Sequence, residues 1–262
     1  MIDFNKIVNK LLKKSWKILF KEDIFDIVDP EKKTRFNSFV DKIVYRLKAE
    51  KVIIPIRNGV YIIPTDDDTD LNEIDLIEKY YLKLLKKFIS YYIWNNYFIS
   101  WQKALEFHMK NFEIPEKIFV VNRSLDKKVN VWSFQIIFKT VSWKIENKKI
   151  NLYSRLSNFV SNTIFEWITF KVSCLELSIV ETALVSCNES WVDINLLNKA
   201  LKKYSKFLKK DVFEEIGKFK FIMAFNRLKE ISRYINKDLY ELFLGIIKKN
   251  GGLFIWEGLR KF

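Results

Sequence analysis

The chain has 262 residues, 49% of them hydrophobic, so it can bury a sizeable core, and global disorder is excluded. Its 46 lysines and arginines outnumber its 32 aspartates and glutamates and give a net charge of +14. That balance favours a polyanionic partner: nucleic acid, an anionic membrane or an acidic protein. The two cysteines, Cys174 and Cys187, are too few for a disulfide framework and too far apart for a CxxC metal site, which indicates reduced thiols in a cytoplasmic protein.

We expect no targeting or membrane-spanning segment. The N-terminal residues include Asp3 and scattered lysines, so they lack the continuous apolar region of a signal peptide. A spanning helix needs about 18 consecutive apolar residues, and no such uncharged stretch occurs. The single histidine, His108, disfavours histidine-dependent catalysis.

The excess positive charge lies at the two ends of the chain. Residues 1–63 carry 14 basic and 8 acidic side chains, residues 64–190 carry 16 of each, and residues 191–262 carry 16 basic and 8 acidic. An acidic run at Asp66, Asp67, Asp68 and Asp70 lacks EF-hand spacing, so we interpret it as a solvated linker over 65–72. The expected organisation is a domain at 1–64, a second at 73–190 and a basic helical region at 191–262.

The first block predicts three helices followed by a β-hairpin. Apolar spacing predicts amphipathic helices over 4–18 and about 33–50, and a short helix over 22–28 is closed by Asp29 and Pro30. Two β-rich runs then flank Asn58 and Gly59, the strongest short hairpin signal. This order predicts an α+β fold: an N-terminal winged helix-turn-helix, then a mixed α/β domain with a helical C-terminal part.

In a winged helix the third helix enters the major groove and the hairpin approaches the DNA backbone. The residues that we expect to contact DNA are Arg35, Asn37, Ser38 and Lys42 at the bases, and Lys32, Lys33, Arg57 and Asn58 at the phosphates or the wing tip. The alternative is a winged-helix protein-interaction module, in which these residues form only a solvated face.

Three segments of the chain resemble patterns of one family. The wing RNGVYIIP at 57–64 is similar to R-x-G-V-Y-x-x-P, and YFISWQKALEFH at 97–108 is similar to Y-I-S-x-x-x-A-L-x-x-H. In VSCLELSIVETAL at 172–184, Glu176 matches V-A-S-P-E-R-A-L-L-D, whereas Leu175, Leu177 and Glu181 replace Pro, Arg and Asp. Over roughly residues 5–190 the order of these segments resembles the AbiEi antitoxins of abortive-infection (AbiE) systems, which act in phage defence.

The resemblance implies a DNA-binding transcriptional autorepressor that is the antitoxin of a type IV toxin-antitoxin system. Its partners would be the double-stranded operator DNA of its own operon and a nucleotidyltransferase-type toxin, which the second domain would counteract without a stable complex. A stand-alone winged-helix regulator with no toxin fits the residues equally well.

Beyond the acidic run the sequence predicts helices over 71–90 and 102–111 and strands within 117–124, 133–141, 149–156 and 168–173. Ser173 and Glu176 have capping-box spacing, which predicts a helix to about 186, and three helical segments follow from 192. One face of the first of these carries a run of lysines: Lys202, Lys203, Lys206, Lys209 and Lys210. This run is either a solvated face or a second contact to DNA backbone or to an acidic or RNA-bound partner.

The sequence predicts no catalytic residue, metal site or cofactor. There is no glycine-rich phosphate loop, no pair of histidine ligands and no GxSxG motif. A restriction-type nuclease is the less favoured alternative, since it would need carboxylates that converge with a lysine at strand ends.

The glycine and tryptophan counts are unusual. Average usage predicts roughly 18 glycines in a chain of this length, whereas this chain has 6 glycines and 8 tryptophans. Several tryptophans stand in turn-like contexts or, in one case, at a family position that favours a small residue: Trp16, Trp101, Trp132, Trp143 and Trp191. One hypothesis is that some of them come from UGA codons that the source organism reads as glycine. The alternative is an aromatic-rich chain with genuine tryptophans.

Overall fold

The computed structural model describes residues 4–14, 17–29, 37–68, 70–111, 113–145, 148–185 and 194–251. The architecture is mixed α+β with a helical C-terminal part, as expected. The chain divides into two units, Met1–Tyr92 with Asn130–Ser133, and Ile93–Val129 with Phe134–Phe262. The helix that starts at Glu73 lies almost wholly in the first unit, whereas the sequence predicts that it belongs to the second domain.

The first unit combines four helices with a small antiparallel sheet, counted over its described residues. Its elements are α1 (Phe4–Leu12), β1 (Ile18–Phe20), α2 (Lys21–Val28), α3 (Asn37–Ala49), β2 (Ile54–Arg57), β3 (Val60–Ile62) and α4 (Glu73–Ile93). The sheet has the strand order β1-β3-β2. The predicted hairpin is confirmed: it turns at Asn58 and Gly59, and Gly59 has the positive φ of 77° that favours glycine.

The N-terminal helix is shorter than its periodicity predicts. It ends at Leu12 rather than at residue 18, and Ile18–Phe20 form β1, which the sequence did not indicate. Ile18 pairs with Ile62, and Phe20 pairs with Val60. A strand of three residues depends on this long-range pairing, because its local pattern is too short to distinguish it from a helix end.

The acidic run is not solvated throughout. Asp66 and Asp67 are exposed, but Asp68 is buried at the end of a 3-10 turn, Asp66–Asp68. Its carboxylate accepts hydrogen bonds from the Thr65 backbone N–H (2.6 Å), from the Tyr80 hydroxyl (2.7 Å) and from Lys79 Nζ (2.6 Å). The segment therefore ties the start of α4 to the residues after the hairpin, which corrects the interpretation of Asp68 as a solvated linker residue.

The second unit is built on a six-stranded mixed sheet with the order β10-β11-β4-β5-β7-β6. Its strands are β4 (Tyr97–Ile99), β5 (Lys117–Asn122), β6 (Lys127–Val131, whose last two residues belong to the first unit), β7 (Phe134–Thr140), β10 (Val160–Phe165) and β11 (Ile168–Ser173), and a separate hairpin joins β8 (Ser142–Ile145) to β9 (Lys148–Asn151). β11 runs parallel to β4, and β5 runs parallel to β7.

Helices supply the rest of the second unit. They are α5 (Trp101–Met109), α6 (Tyr153–Leu156), α7 (Leu175–Val185), α8 (Ile194–Tyr204), α9 (Lys210–Gly217), α10 (Ile222–Ser232) and α11 (Lys237–Lys249). One apolar cluster contains Leu105 of α5, Ile179 of α7, Leu197 of α8, Phe225 of α10 and Phe243 of α11. The basic C-terminal helices therefore share the core of this unit, and removing them would expose it.

Candidate nucleic-acid interface

The exposed face of α3 is the candidate DNA-reading surface of the first unit. Val40, Val44 and Leu47 are buried at helical spacing. On the opposite side Ser38, Lys42 and Tyr45 are exposed at positions i, i+4 and i+7, so they form one stripe along the helix. Tyr45 is 71% exposed, which leaves its ring and hydroxyl open to a partner.

Neighbouring charges on α3 are engaged in local ion pairs. Asp41 pairs with Lys21 at 2.6 Å between Oδ1 and Nζ. Arg46 pairs with Glu50 at 2.8 Å, and its guanidinium carbon lies 3.8 Å from the centre of the Phe4 ring. Lys42 forms no ion pair with the described residues. Its ammonium group is therefore available to contact a phosphate or a base edge.

Arg57 and Asn58 are exposed at the hairpin tip, as the sequence predicts. The Arg57 guanidinium also donates to the backbone carbonyl of Asn130, which the chain contacts assign to the same unit. Its central carbon lies 5.8 Å from the centre of the Phe88 ring. Arg57 thus has a structural contact in addition to the phosphate contact expected for it.

The remaining predicted DNA contacts are only partly placed. Lys32, Lys33 and Arg35 lie outside the described residues, and of Asn37 only the backbone, at the start of α3, is described. The structure therefore brings Ser38 and Lys42 together on one helix face, and Arg57 and Asn58 together on one turn.

A second basic surface lies at the end of α8 and the start of α9. All five predicted lysines are exposed there: Lys202, Lys203, Lys206, Lys209 and Lys210. Sequence reasoning missed Phe207 in the middle of them, whose side chain is 76% exposed. The sequence offers one signal for its exposure, which is the run of lysines around it. Because Leu208 follows it directly, however, the pair has the pattern of core residues.

Two of the segments that carry the family resemblance lie side by side in the second unit. The backbone N–H of Trp101, at the start of α5, donates to Glu181 Oε2 of α7 at 3.4 Å. Nε2 of His108, further along α5, lies 2.8 Å from the carbonyl oxygen of Ser173. This cluster joins the strand-to-helix junctions of the unit. Because Glu181 and Ser173 are both buried, a ligand cannot reach them.

The predicted capping pair of α7 does not form. The helix begins at Leu175, close to the expected position, but Glu176 Oε1 accepts a hydrogen bond from the backbone N–H of Lys209 at 2.9 Å. The Leu177 N–H instead donates to Cys174 Sγ at 3.5 Å. Glu176 therefore fixes the start of α9, a long-range contact that sequence spacing cannot reveal.

Burial shifts the pKa of three titratable groups in this cluster. Burial lowers the pKa of His108, and its contact with the Ser173 carbonyl and the charge of Glu176 only partly oppose this. Burial raises the pKa of the Cys174 thiol to about 12, so it is an unreactive thiol. Burial likewise raises the pKa of Glu181 to about 7, and the hydrogen bond from the Trp101 backbone N–H opposes this rise.

The described residues contain no group of three or more histidines, cysteines or carboxylates placed to hold a metal ion. The buried ion pair of Lys103 and Glu106, 3.0 Å apart, lies within one helix, not at strand ends, so it lacks the arrangement expected of a restriction-type nuclease. None of the described helices combines the length and apolarity needed to cross a membrane.

No protein-family model matches the chain, and no curated protein matches it in sequence. Among solved structures, the crystal structure of the RV2827C protein from Mycobacterium tuberculosis is similar, with a TM-score of 0.61 and 12% sequence identity. The match covers 94% of this chain and 80% of the mycobacterial one. At this identity the match shows a shared fold only.

Proposed function

We propose that the chain is a DNA-binding transcriptional autorepressor whose first unit is a winged helix-turn-helix. The element order α1-β1-α2-α3-β2-β3 and the strand order β1-β3-β2 support this assignment. So does the net positive charge of residues 1–63, since DNA binding draws on phosphate neutralisation.

One observation carries the proposal: the exposed stripe of Ser38, Lys42 and Tyr45 on the third helix. In a winged helix the N-terminal part of this helix lies in the major groove, where hydroxyl and ammonium groups reach base edges and phosphates. In the alternative, a protein-interaction module, the same side chains form only a solvated face, so the effect of changing Lys42 on DNA affinity distinguishes the two.

The Lys42→Ala variant tests the assignment. We expect about tenfold weaker binding to the DNA upstream of the gene and a log affinity–log salt slope smaller by about one. Fluorescence anisotropy over a series of salt concentrations measures both quantities. Lys10→Ala, which removes the same charge from the exposed side of α1, is the matched control and should change affinity by less than about twofold. Equal effects of the two variants would remove α3 from the DNA interface.

The proposal extends to an antitoxin that counteracts a nucleotidyltransferase-type toxin, and the family resemblance supports this part. The direct test is to express the neighbouring gene in a growth assay, with and without this chain. Restored growth with both the parent chain and the Lys42→Ala variant is expected, because toxin protection resides in the second unit. A neighbouring gene that encodes no nucleotidyltransferase, or a chain that fails to restore growth, leaves a stand-alone transcriptional regulator.

A further inference from the structure

The segment that joins α8 to α9 carries an exposed aromatic side chain within a run of exposed lysines. Residues 199–210 contain six lysines and no carboxylate, and all six lysines are exposed. Phe207 stands among them with 76% of its surface open. Single exposed apolar residues are common, but an exposed ring with exposed lysines before and after it in the sequence is a more specific combination.

The loop is held firmly around Phe207. The Tyr204 hydroxyl donates to the His108 carbonyl at 2.7 Å, and the Lys209 N–H donates to Glu176 at 2.9 Å. Leu208 is buried, and the N–H of Phe207 itself donates to the Tyr204 carbonyl at 2.8 Å. The exposed ring therefore belongs to an anchored backbone, and a ligand that contacts it meets a surface that is already ordered.

This chemistry selects one class of polyanion. The lysines can neutralise phosphates of any nucleic acid, and the flat exposed ring adds a surface on which a free base face can stack. Bases of a duplex already stack on one another, whereas bases of a single strand are open. If the partner were instead an acidic protein with an apolar side chain on the ring, neither single strand would bind.

We infer that this loop binds single-stranded nucleic acid, with a base stacked on Phe207 and the backbone held by the surrounding lysines. Lys210 Nζ lies 4.0 Å from Asp238, so Lys202, Lys203, Lys206 and Lys209 carry most of the backbone contact. This loop belongs to the second unit and the α3 stripe to the first, and the inference does not depend on operator binding by α3.

Anisotropy of the full-length chain with labelled oligo(dT), oligo(U) and a random duplex tests the inference. The parent chain should bind both single strands, and Phe207→Ala should weaken that binding about tenfold, while Phe207→Trp retains it. Tyr234→Ala removes a similarly exposed ring (72%) that follows α10, outside residues 199–210, and is the matched control. Duplex binding should be the same in all variants. Absence of single-strand binding, or a Phe207→Ala chain that binds like the Tyr234→Ala chain, would overturn the inference.

Most of the described tryptophans have an unusual backbone conformation. The structure describes the backbone of five of them, and four have a left-handed conformation: Trp94 (φ 51°), Trp101 (55°), Trp132 (49°) and Trp167 (66°). Only a few per cent of non-glycine residues adopt positive φ, and bulky side chains are disfavoured there. Eight non-glycine residues of the described chain do so, and half of these are tryptophans.

In three of these four tryptophans the side chain does not compensate for the backbone strain. Trp94, Trp132 and Trp167 are 73%, 48% and 97% exposed, so burial of the indole does not stabilise the conformation. Trp101 is half-buried and lies edge-on to Phe119, with ring centres 4.0 Å apart. Trp143, which the sequence also singled out, lies in strand β8 and not in a turn, and Trp16 and Trp191 lie outside the described residues.

We propose that the native residue at 94, 101, 132 and 167 is glycine, encoded by UGA codons that the source organism reads as glycine. Glycine adopts positive φ without steric cost, which accounts for all four backbones at once. The same assignment moves the glycine count towards the value that average usage predicts.

The gene and the native protein provide the test. UGA codons at the four positions, with glycine in peptides sequenced by mass spectrometry from the source organism, are expected. UGG codons or tryptophan-containing peptides there would overturn the proposal. In recombinant protein, changing all four residues to glycine should raise the Tm by about 10 °C, whereas Trp143→Gly, within a strand, should not raise it. An unchanged or lower Tm in the fourfold variant would count against the proposal.

Discussion

The Asp68→Ala variant is expected to unfold with a free energy about 3 kcal/mol lower than the parent chain. The carboxylate is fully buried and accepts hydrogen bonds from Thr65, Lys79 and Tyr80. Alanine leaves the Thr65 N–H and the buried Tyr80 hydroxyl without this acceptor. An unpaired buried donor lowers the free energy of unfolding by more than an intact hydrogen bond raises it. Urea unfolding followed by fluorescence measures the difference.

Asp67→Ala is the matched control for this variant. Asp67 is exposed in the same 3-10 turn, so its replacement should change the unfolding free energy by no more than about 0.5 kcal/mol. Asp68→Asn should lie between the two, because the amide keeps one acceptor oxygen but loses the charge that pairs with Lys79. Equal losses for Asp67→Ala and Asp68→Ala would contradict the structural role of Asp68.

The contribution of Asp68 depends on pH with a defined sign. Burial alone would raise its pKa, but hydrogen bonds from Lys79, Thr65 and Tyr80 outweigh burial and hold the pKa well below the ordinary value of 3.8. A depressed carboxyl pKa stabilises the fold above the unfolded value, and that stability is lost as pH falls below it. The difference between the parent chain and Asp68→Ala should therefore shrink below pH 3.8.

The acidic run illustrates what the sequence can and cannot show about this fold. Periodicity located α1, α3 and α4 because their apolar faces span several turns, and the pair Asn58-Gly59 located the hairpin because only a few turn types fit it. The burial of Asp68 depends on Lys79 and Tyr80, eleven and twelve residues away on α4, and no local pattern specifies that contact. Strand β1 was missed for the same reason.

The same distinction applies to the candidate interface. Lys42 and Arg57 could be located because residue type and predicted element are both local properties. Phe207 could not, because its exposure follows from how the α8–α9 loop is anchored by His108 and Glu176. The unusual tryptophan count is a property of composition alone. Only the φ angles show which tryptophans stand at positions that favour glycine.

Glu181→Gln is expected to stabilise the protein at neutral pH by about 3 kcal/mol relative to the parent chain. Burial raises the pKa of Glu181 from 4.5 to about 7, although the hydrogen bond from the Trp101 N–H opposes the rise. The folded chain therefore binds this proton more tightly than the unfolded chain does. Glutamine keeps an acceptor oxygen for the Trp101 N–H and removes the cost of burying a charge.

The sign of the pH dependence follows from the raised pKa. The stability due to a protonated Glu181 is fully present below pH 4.5 and is lost as pH rises through about 7, so the two chains should differ little at pH 4 and most at pH 8. Burial lowers the pKa of His108, so its contribution to stability changes with pH in the opposite sense, but His108 is present in both chains and cancels in their difference.

Unfolding midpoints in urea between pH 4 and pH 8 measure this difference directly. Glu241→Gln, at an exposed position of α11, makes the same chemical change without burial and should follow the parent profile. Parallel profiles for the parent chain and Glu181→Gln would show that Glu181 is charged in the fold. In that case the Trp101 N–H and the polar groups around it stabilise a buried carboxylate.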